Sequence, residues 1–93
     1  DPEEGQPIEE VFTSSEIEVL AHLNKKFQGK TAKSQNNNDP KKTKGVTWVI
    51  GRLGKWKGYN SQGPPGVICL KNGLDRFTNI MEGVGLAKDM YTG

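Results

Sequence analysis

One segment of the sequence repeats its apolar residues with the period of an α-helix. Between residues 66 and 82, successive apolar positions are separated alternately by three and four residues, which places them on one helical face. They are Val67, Leu70, Leu74, Phe77 and Met81, and Ile80 and Val84 widen the same face. The spacing predicts an amphipathic helix over about 66–82. Because Gly83 and Gly85 loosen the chain, Leu86, Ala87 and Met90 form either a short last helix or a continuation.

An earlier helix is marked by a capping box. Thr13 is followed three residues later by Glu16, and Phe12 stands where it can pack against Ile17 across the helix start. An apolar stripe follows, made of Ile17, Leu20, Ala21, Leu23 and Phe27. Gly29 can adopt the left-handed conformation that ends many helices. The pattern predicts a first helix over about 14–27.

A further helical stripe lies in the middle of the chain. Val46, Val49, Ile50 and Leu53 recur at the spacing of one helix face, and Gly54 ends the segment. Asp39 and Pro40 provide a capped start, and Thr43 provides a later one. Gly51 stands inside the stripe, where we expect it to let another helix approach.

The next residues exclude regular structure. Gly58, Gly63 and the run Pro64-Pro65-Gly66 interrupt any helix or strand between residues 55 and 66. Trp56 and Tyr59 are the large aromatic residues of this turn. We expect them to pack the turn against the helices.

Together these elements predict an all-α fold, a small bundle of three to four helices with a long flexible loop between helices 1 and 2. Hydrophobic residues make up 32% of the 93 residues, below the roughly 45% apolar usage of globular domains, so the core should be small. Residues 1–12 are predicted to be an acidic disordered tail and 13–93 a helical domain. Residues 28–43 lack large apolar side chains and are predicted to be the flexible loop.

Charge is distributed unevenly along the chain. Residues 1–23 contain seven acidic residues and no Lys or Arg, whereas residues 24–57 contain ten basic residues and only Asp39 as an acid. Lysine and arginine neutralise nucleic-acid phosphates, and Trp48, Trp56 and Tyr59 are close in sequence to part of this charge. Possible DNA contacts are therefore Arg52, Lys55 and Lys57. The alternative is that most of these lysines only keep a loop solvated.

The sequence shows no arrangement typical of an active site. Gly58 and Gly63 have the glycine spacing of a phosphate-binding loop, but Pro64 and Pro65 stand where the loop needs Lys and Ser or Thr. The single histidine and single cysteine are too few for a zinc site, and no pair of carboxylates is placed for proton transfer. We therefore expect no enzymatic activity, no cofactor and no small-molecule substrate for this chain. An undetected small enzyme is a distant alternative.

The compartment is expected to be the cytoplasm. The longest uninterrupted apolar run, Val67 to Leu70, is far shorter than the ~20 residues of a membrane span, so no membrane partner is expected. One cysteine fits a reducing environment. Because the chain starts at Asp1 without a methionine, we expect it to be part of a longer protein.

Several motifs occur in an order that resembles one family. The matching positions are Thr13 with Glu16, then Ile50, Arg52, Leu53, Gly54 and Trp56, then Pro65-Gly66, then Leu70, Gly73, Leu74 and Gly83, and finally Gly-Leu-Ala-Lys-Asp-Met at 85–90. The chain resembles the C-terminal dimerisation domain of DDE insertion-sequence transposases of the Tn-five type. It departs from the family pattern at Gly51, Lys55 and Lys71, as a divergent member would.

The resemblance implies a non-catalytic domain that helps two transposase subunits pair, so that two transposon ends are synapsed during cut-and-paste transposition. The partners would be another transposase subunit, in a homodimer, and transposon-end DNA bound by the full-length bacterial protein. The Asp-Asp-Glu triad and its divalent metal ions would lie in a catalytic domain upstream. The dimer contact of the family corresponds here to the protein-interface residues Gly83, Leu86, Ala87, Met90 and Tyr91. The rival interpretation is a basic nucleic-acid-binding module that contacts DNA phosphates through residues 52–57.

Overall fold

The computed structural model describes residues 5–29, 35–58 and 63–92. Three α-helices follow one another: α1 (Ser14–Phe27), α2 (Thr43–Leu53) and α3 (Val67–Thr92), with a short 3-10 helix at Ile8–Glu10 before them. The described ranges contain no strand, only an isolated bridge between Pro7 and Lys42. The predicted all-α fold is confirmed.

Helix α1 begins at the predicted capping box. The Thr13 hydroxyl accepts a hydrogen bond from the Glu16 backbone N–H at 3.2 Å, and the Thr13 N–H donates to Glu16 Oε1 at 2.8 Å. Both ends of α1 agree with the sequence prediction, although the residue that ends it is Gln28 in an extended conformation. Leu20 and Leu23 carry the buried face of the helix.

Helix α2 is the central element of the bundle. It starts at Thr43, the later of the two predicted starts, because Asp39 forms a turn instead, accepting from the Lys41 N–H through its carboxylate and from the Lys42 N–H through its carbonyl. Most of its circumference is buried, at Gly45, Val46, Trp48, Val49, Ile50 and Gly51. α2 therefore contacts other parts of the protein on several sides.

Helix α3 is longer than the sequence indicated. It continues through Gly83 and Gly85 as one 26-residue helix, so the predicted end at residue 82 is wrong. Of the two alternatives for residues 86–90, continuation is correct. A helix tolerates glycine at a cost of about 1 kcal/mol each, and no proline follows to stop it.

Glycines bring α2 and α3 into close contact. A Cβ added at Gly73 would overlap the Ile50 carbonyl, and one added at Gly54 would overlap the Cys69 carbonyl. The backbones of the two helices therefore touch at a distance that no larger residue permits. Gly51 does not have the role expected of it, since its neighbours are Pro65 and Trp56 and not a helix.

The N-terminal segment differs from the expected disordered tail. Ile8 is 6% exposed and belongs to the core, its N–H donates to the Lys41 carbonyl at 2.9 Å, and the Thr43 N–H donates to the Gln6 carbonyl at 3.0 Å. One large apolar side chain suffices here because α1 and α2 already form an apolar recess around it. Residues 1–4 lie outside the described residues.

Part of the predicted flexible loop is also held in place. The Asn36 side chain donates to Asn24 Oδ1 at 2.8 Å and to the Gly45 carbonyl at 3.2 Å. The Asn38 N–H in turn donates to Asn36 Oδ1 at 3.0 Å. These bonds connect the loop to α1 and α2, whereas residues 30–34 lie outside the described residues.

Candidate functional site

The C-terminal end of α3 is an exposed apolar surface. Leu86 is 63% exposed, Met90 70% and Tyr91 86%, and Ala87 is exposed as well. No atom outside the helix lies within 4 Å of a Cβ built at Gly83. We call these five residues the α3 end surface.

The helical period places most of the α3 end surface on one face. Gly83, Leu86, Ala87 and Met90 are separated by three and four residues, and Tyr91 lies at the edge of the same face. On the core face of α3, Phe77 is buried and Ile80 packs against the core. Leu86 and Met90 lie on a different side of the helix from Phe77. Ala87 follows Ile80 by seven residues and Tyr91 follows Gly73 by eighteen, so these two continue the direction of the core face.

Helix lengths explain why this end is free. At about 1.5 Å per residue, α3 is roughly 39 Å long whereas α2 is roughly 16 Å long. The Cα positions extend 46 Å along the longest axis and 27 Å and 26 Å across it. Near the end of α3, Val84 borders α1 and the Lys88 ammonium donates to the Ser15 hydroxyl. These contacts leave the α3 end surface uncovered by the described residues.

The three predicted DNA-contact residues have different environments. Arg52 Nη1 donates to the Trp56 carbonyl at 2.9 Å and to the Lys57 carbonyl at 2.8 Å. Its guanidinium carbon also lies 5.7 Å from the centre of the Phe27 ring. Lys55 and Lys57 are exposed. Arg52 thus uses Nη1 to hold the turn after α2, whereas both lysine side chains extend into solvent.

An aromatic cavity beside α2 was not predicted from the sequence. Trp48 and Trp56 meet edge to face, with ring centres 6.4 Å apart and planes at 85°. They border a cavity of about 360 Å³ that is lined by Asn38, Lys44, Thr47, Trp48, Trp56, Gly63, Pro64 and Pro65. We call it the tryptophan cavity.

Two features of the sequence build the tryptophan cavity. A Cβ at Gly51 would lie 2.7 Å from Pro65 Cβ and 3.0 Å from Trp56 Cε3, so this glycine lets both rings settle on the α2 backbone. The Asn36 network positions Asn38 at the border of the cavity. In the sequence, the two tryptophans and the two adjacent prolines indicate packing between rings. Only the fold shows that these residues meet at one cavity.

The described residues contain no cluster of three or more His, Cys, Asp or Glu side chains placed to bind a metal ion. Among the helices of the described ranges, none combines the length and apolar character required to cross a bilayer. Comparisons of the chain with protein families, with curated proteins and with solved structures find no match.

Proposed function

We propose that the chain is a non-catalytic self-association module, in which the α3 end surface of one molecule packs against that of a second. One observation carries this proposal. Helix α3 extends beyond the helices that it packs against, and its end exposes Leu86, Met90 and Tyr91. Large exposed apolar side chains grouped on one face mark interaction sites more often than chance. A twofold pairing requires that the same face be complementary to itself.

The small residues of this surface support a helix-to-helix contact. Gly83 and Ala87 are one helical turn apart, so a partner helix can approach the α3 backbone closely there. Leu86 and Met90 flank them and provide the apolar area that association would remove from water. Among the described residues, none makes a contact with Gly83 that explains the absence of a side chain.

The motif order of the sequence extends the proposal to a biological setting. We infer that the module belongs to a DDE transposase of the Tn-five type and pairs two subunits at transposon ends in the cytoplasm of a bacterium. The chemistry would then be performed by the catalytic domain of that protein, with its divalent metal ions. This module would contribute only the pairing of subunits.

The test is a charge placed on the α3 end surface. Leu86→Glu should weaken concentration-dependent association at least about tenfold, measured by light scattering and sedimentation from micromolar to millimolar chain, because a buried unpaired charge is strongly unfavourable at an apolar contact. In the parent transposase the same substitution should abolish synapsis of transposon ends. Unchanged synapsis would overturn the assignment of this surface.

A matched control is available on the same helix. Ile68 is 76% exposed and lies eighteen residues before Leu86, which is five turns, so both side chains point in the same direction from the helix axis. Ile68→Glu should leave association unchanged. Equal losses in the two variants would show that the contact is not confined to the C-terminal end.

A second candidate function is binding of DNA phosphates through residues 52–57. The exposure of Lys55 and Lys57 favours it, whereas the internal hydrogen bonds of Arg52 oppose a role for that residue. This function requires DNA affinity that falls steeply with salt and weakens when Lys55 and Lys57 are changed to Glu. The same variants should leave self-association intact.

A further inference from the structure

We propose that the tryptophan cavity binds one unpaired nucleotide of a single-stranded nucleic acid. The proposal does not depend on self-association, because the cavity shares no residue with the α3 end surface. It also differs from phosphate binding through residues 52–57. The base, and not only the phosphate, is recognised.

The size and walls of the cavity fit a flat ring. Its volume of about 360 Å³ falls within the range of about 300–1,000 Å³ that is usual for small-ligand sites. Trp56 is half-buried and Pro64 is exposed, so part of each ring is accessible from solvent. Aromatic faces of this kind hold bases by stacking, and every base has a flat face to offer.

Trp48 contributes an unused hydrogen-bond donor. Its side chain is 3% exposed, and its indole Nε1 has no partner among the described residues. A buried N–H without an acceptor is unfavourable and rare in native proteins, where bound water or ligand commonly supplies the missing partner. The carbonyl oxygens and ring nitrogens of a base are acceptors of the required kind, and because Nε1 has less than 1 Å² of accessible surface, a base reaches it only by displacing the atoms that cover it.

The charge around the cavity selects an anionic ligand. Lys44 lines it and is exposed at its border. No carboxylate is among the described lining residues. Lys44 is the one basic residue among the described lining residues, so a phosphate next to a bound base lies near one positive charge.

A proline-rich peptide is the main competing ligand, because aromatic grooves with a tryptophan N–H also bind such peptides. An uncharged peptide of this kind gains nothing from Lys44 at the border of the cavity. The cavity also presents prolines of its own, Pro64 and Pro65, along its wall. The positive charge of Lys44 and the rings that line the cavity together favour a nucleotide over a proline-rich peptide.

The experiment uses intrinsic fluorescence of the full 93-residue chain. Both tryptophans of the protein border the cavity, so no label is needed. The probes are thymidine and uridine oligonucleotides of about ten nucleotides, within the usual range of single-strand sites, and a sugar-phosphate strand of equal length without bases. A DNA duplex and a proline-rich peptide complete the set.

We expect saturable quenching by the single strands and about tenfold weaker binding of the strand without bases, since base stacking on aromatic residues contributes this much or more. The affinities for the thymidine and the uridine oligonucleotides, compared with each other, show whether the cavity prefers DNA or RNA. The duplex should bind more weakly than the single strand because its bases are already stacked. The indole N–H resonance of Trp48 should shift on binding.

Two substitutions localise the effect. Lys44→Gln should weaken binding and reduce the salt slope by about one unit for one lost phosphate contact, whereas Lys71→Gln, the same change on α3, should alter neither. Trp56→Leu should remove the preference for bases over bare sugar-phosphate. Should that variant fail to fold by circular dichroism, Pro64→Ala alters the wall at an exposed position and should weaken the same preference.

Equal affinity for strands with and without bases would overturn the proposal, because binding would then be electrostatic only. Binding without change in tryptophan fluorescence or in the Trp48 resonance would also overturn it. Binding of the proline-rich peptide with no binding of oligonucleotides would assign the cavity to the competing ligand.

Discussion

The two halves of α3 differ in what their glycines and apolar side chains touch. In the first half, Gly73 lies against the α2 backbone and Phe77 is 5% exposed. In the second half, Gly83 has open space beside it and Leu86 is 63% exposed. We call these the packed half and the unpacked half for their contacts with α2 and the core, although Val67, Ile68 and Leu74 in the first half are themselves more than half exposed.

This difference shows that a glycine inside a helix can occur for two different reasons. A glycine inside a helix costs about 1 kcal/mol relative to alanine. At Gly73 the close contact with α2 offsets that cost, because the helices could not otherwise approach. At Gly83 no contact with a described residue offsets that cost, which is the reason to look for a partner molecule at this end.

The largest effect is expected for truncation in the packed half. Phe77→Ala should lower the free energy of unfolding by about 3–5 kcal/mol, because it removes a buried ring and leaves a cavity. A domain with so small a core would then be mostly unfolded. Urea denaturation followed by circular dichroism measures the change. A loss below about 1 kcal/mol would contradict the packing described for the first half of α3.

A smaller loss is expected at the helix crossing. Gly73→Ala should destabilise the chain by about 1–3 kcal/mol, since the new methyl group overlaps the Ile50 carbonyl and forces the two helices apart. The same denaturation experiment applies. A stabilised Gly73→Ala variant would mean that α2 and α3 are not in close contact there.

At Gly83 the same glycine-to-alanine substitution should stabilise the protein instead of destabilising it. Gly83→Ala should stabilise the dilute monomer by up to about 1 kcal/mol, because alanine favours the helix and meets no neighbour. In the same variant, self-association measured by sedimentation should weaken if a partner helix approaches at this position. A gain in stability together with unchanged association would remove Gly83 from the proposed contact.

The smallest effect on stability is expected for truncation in the unpacked half. Leu86→Ala should change the free energy of unfolding of the dilute monomer by no more than about 0.5 kcal/mol, as for other surface positions. Phe77→Ala is its natural counterpart on the same helix. A large loss for Leu86→Ala, comparable with that at Phe77, would show that the end of α3 is packed and would abolish the contrast between the halves.

The elements that the sequence predicted well have local signals. The capping box at Thr13 and Glu16 determined where α1 starts, because both hydrogen bonds form within four residues. The apolar period of 66–82 likewise predicted most of α3. The length of α3 was underestimated because glycine lowers helix propensity only modestly. The local sequence does not show whether a helix continues through Gly83 and Gly85 or ends there.

The features that the sequence did not reveal depend on distant contacts. Ile8 was assigned to a disordered tail, yet it is buried beside Lys41, more than thirty residues away. The role of Arg52 as a possible DNA contact stays a prediction, but the sequence did not show that its Nη1 donates to two carbonyls of the turn. The tryptophan cavity requires Trp48, Trp56 and Pro64 to converge, which no spacing rule expresses.

The sequence by itself determined that this chain is helical, where α1 and α3 start and which faces are apolar, because hydrogen bonding and periodicity act within a few residues. Only the tertiary structure decided which apolar faces are covered. The α2–α3 crossing buries one face of α3 and leaves its C-terminal end exposed. Which parts of α3 are covered depends on where three helices of unequal length meet. These meeting points involve residues that are far apart in the sequence, so local signals do not determine them.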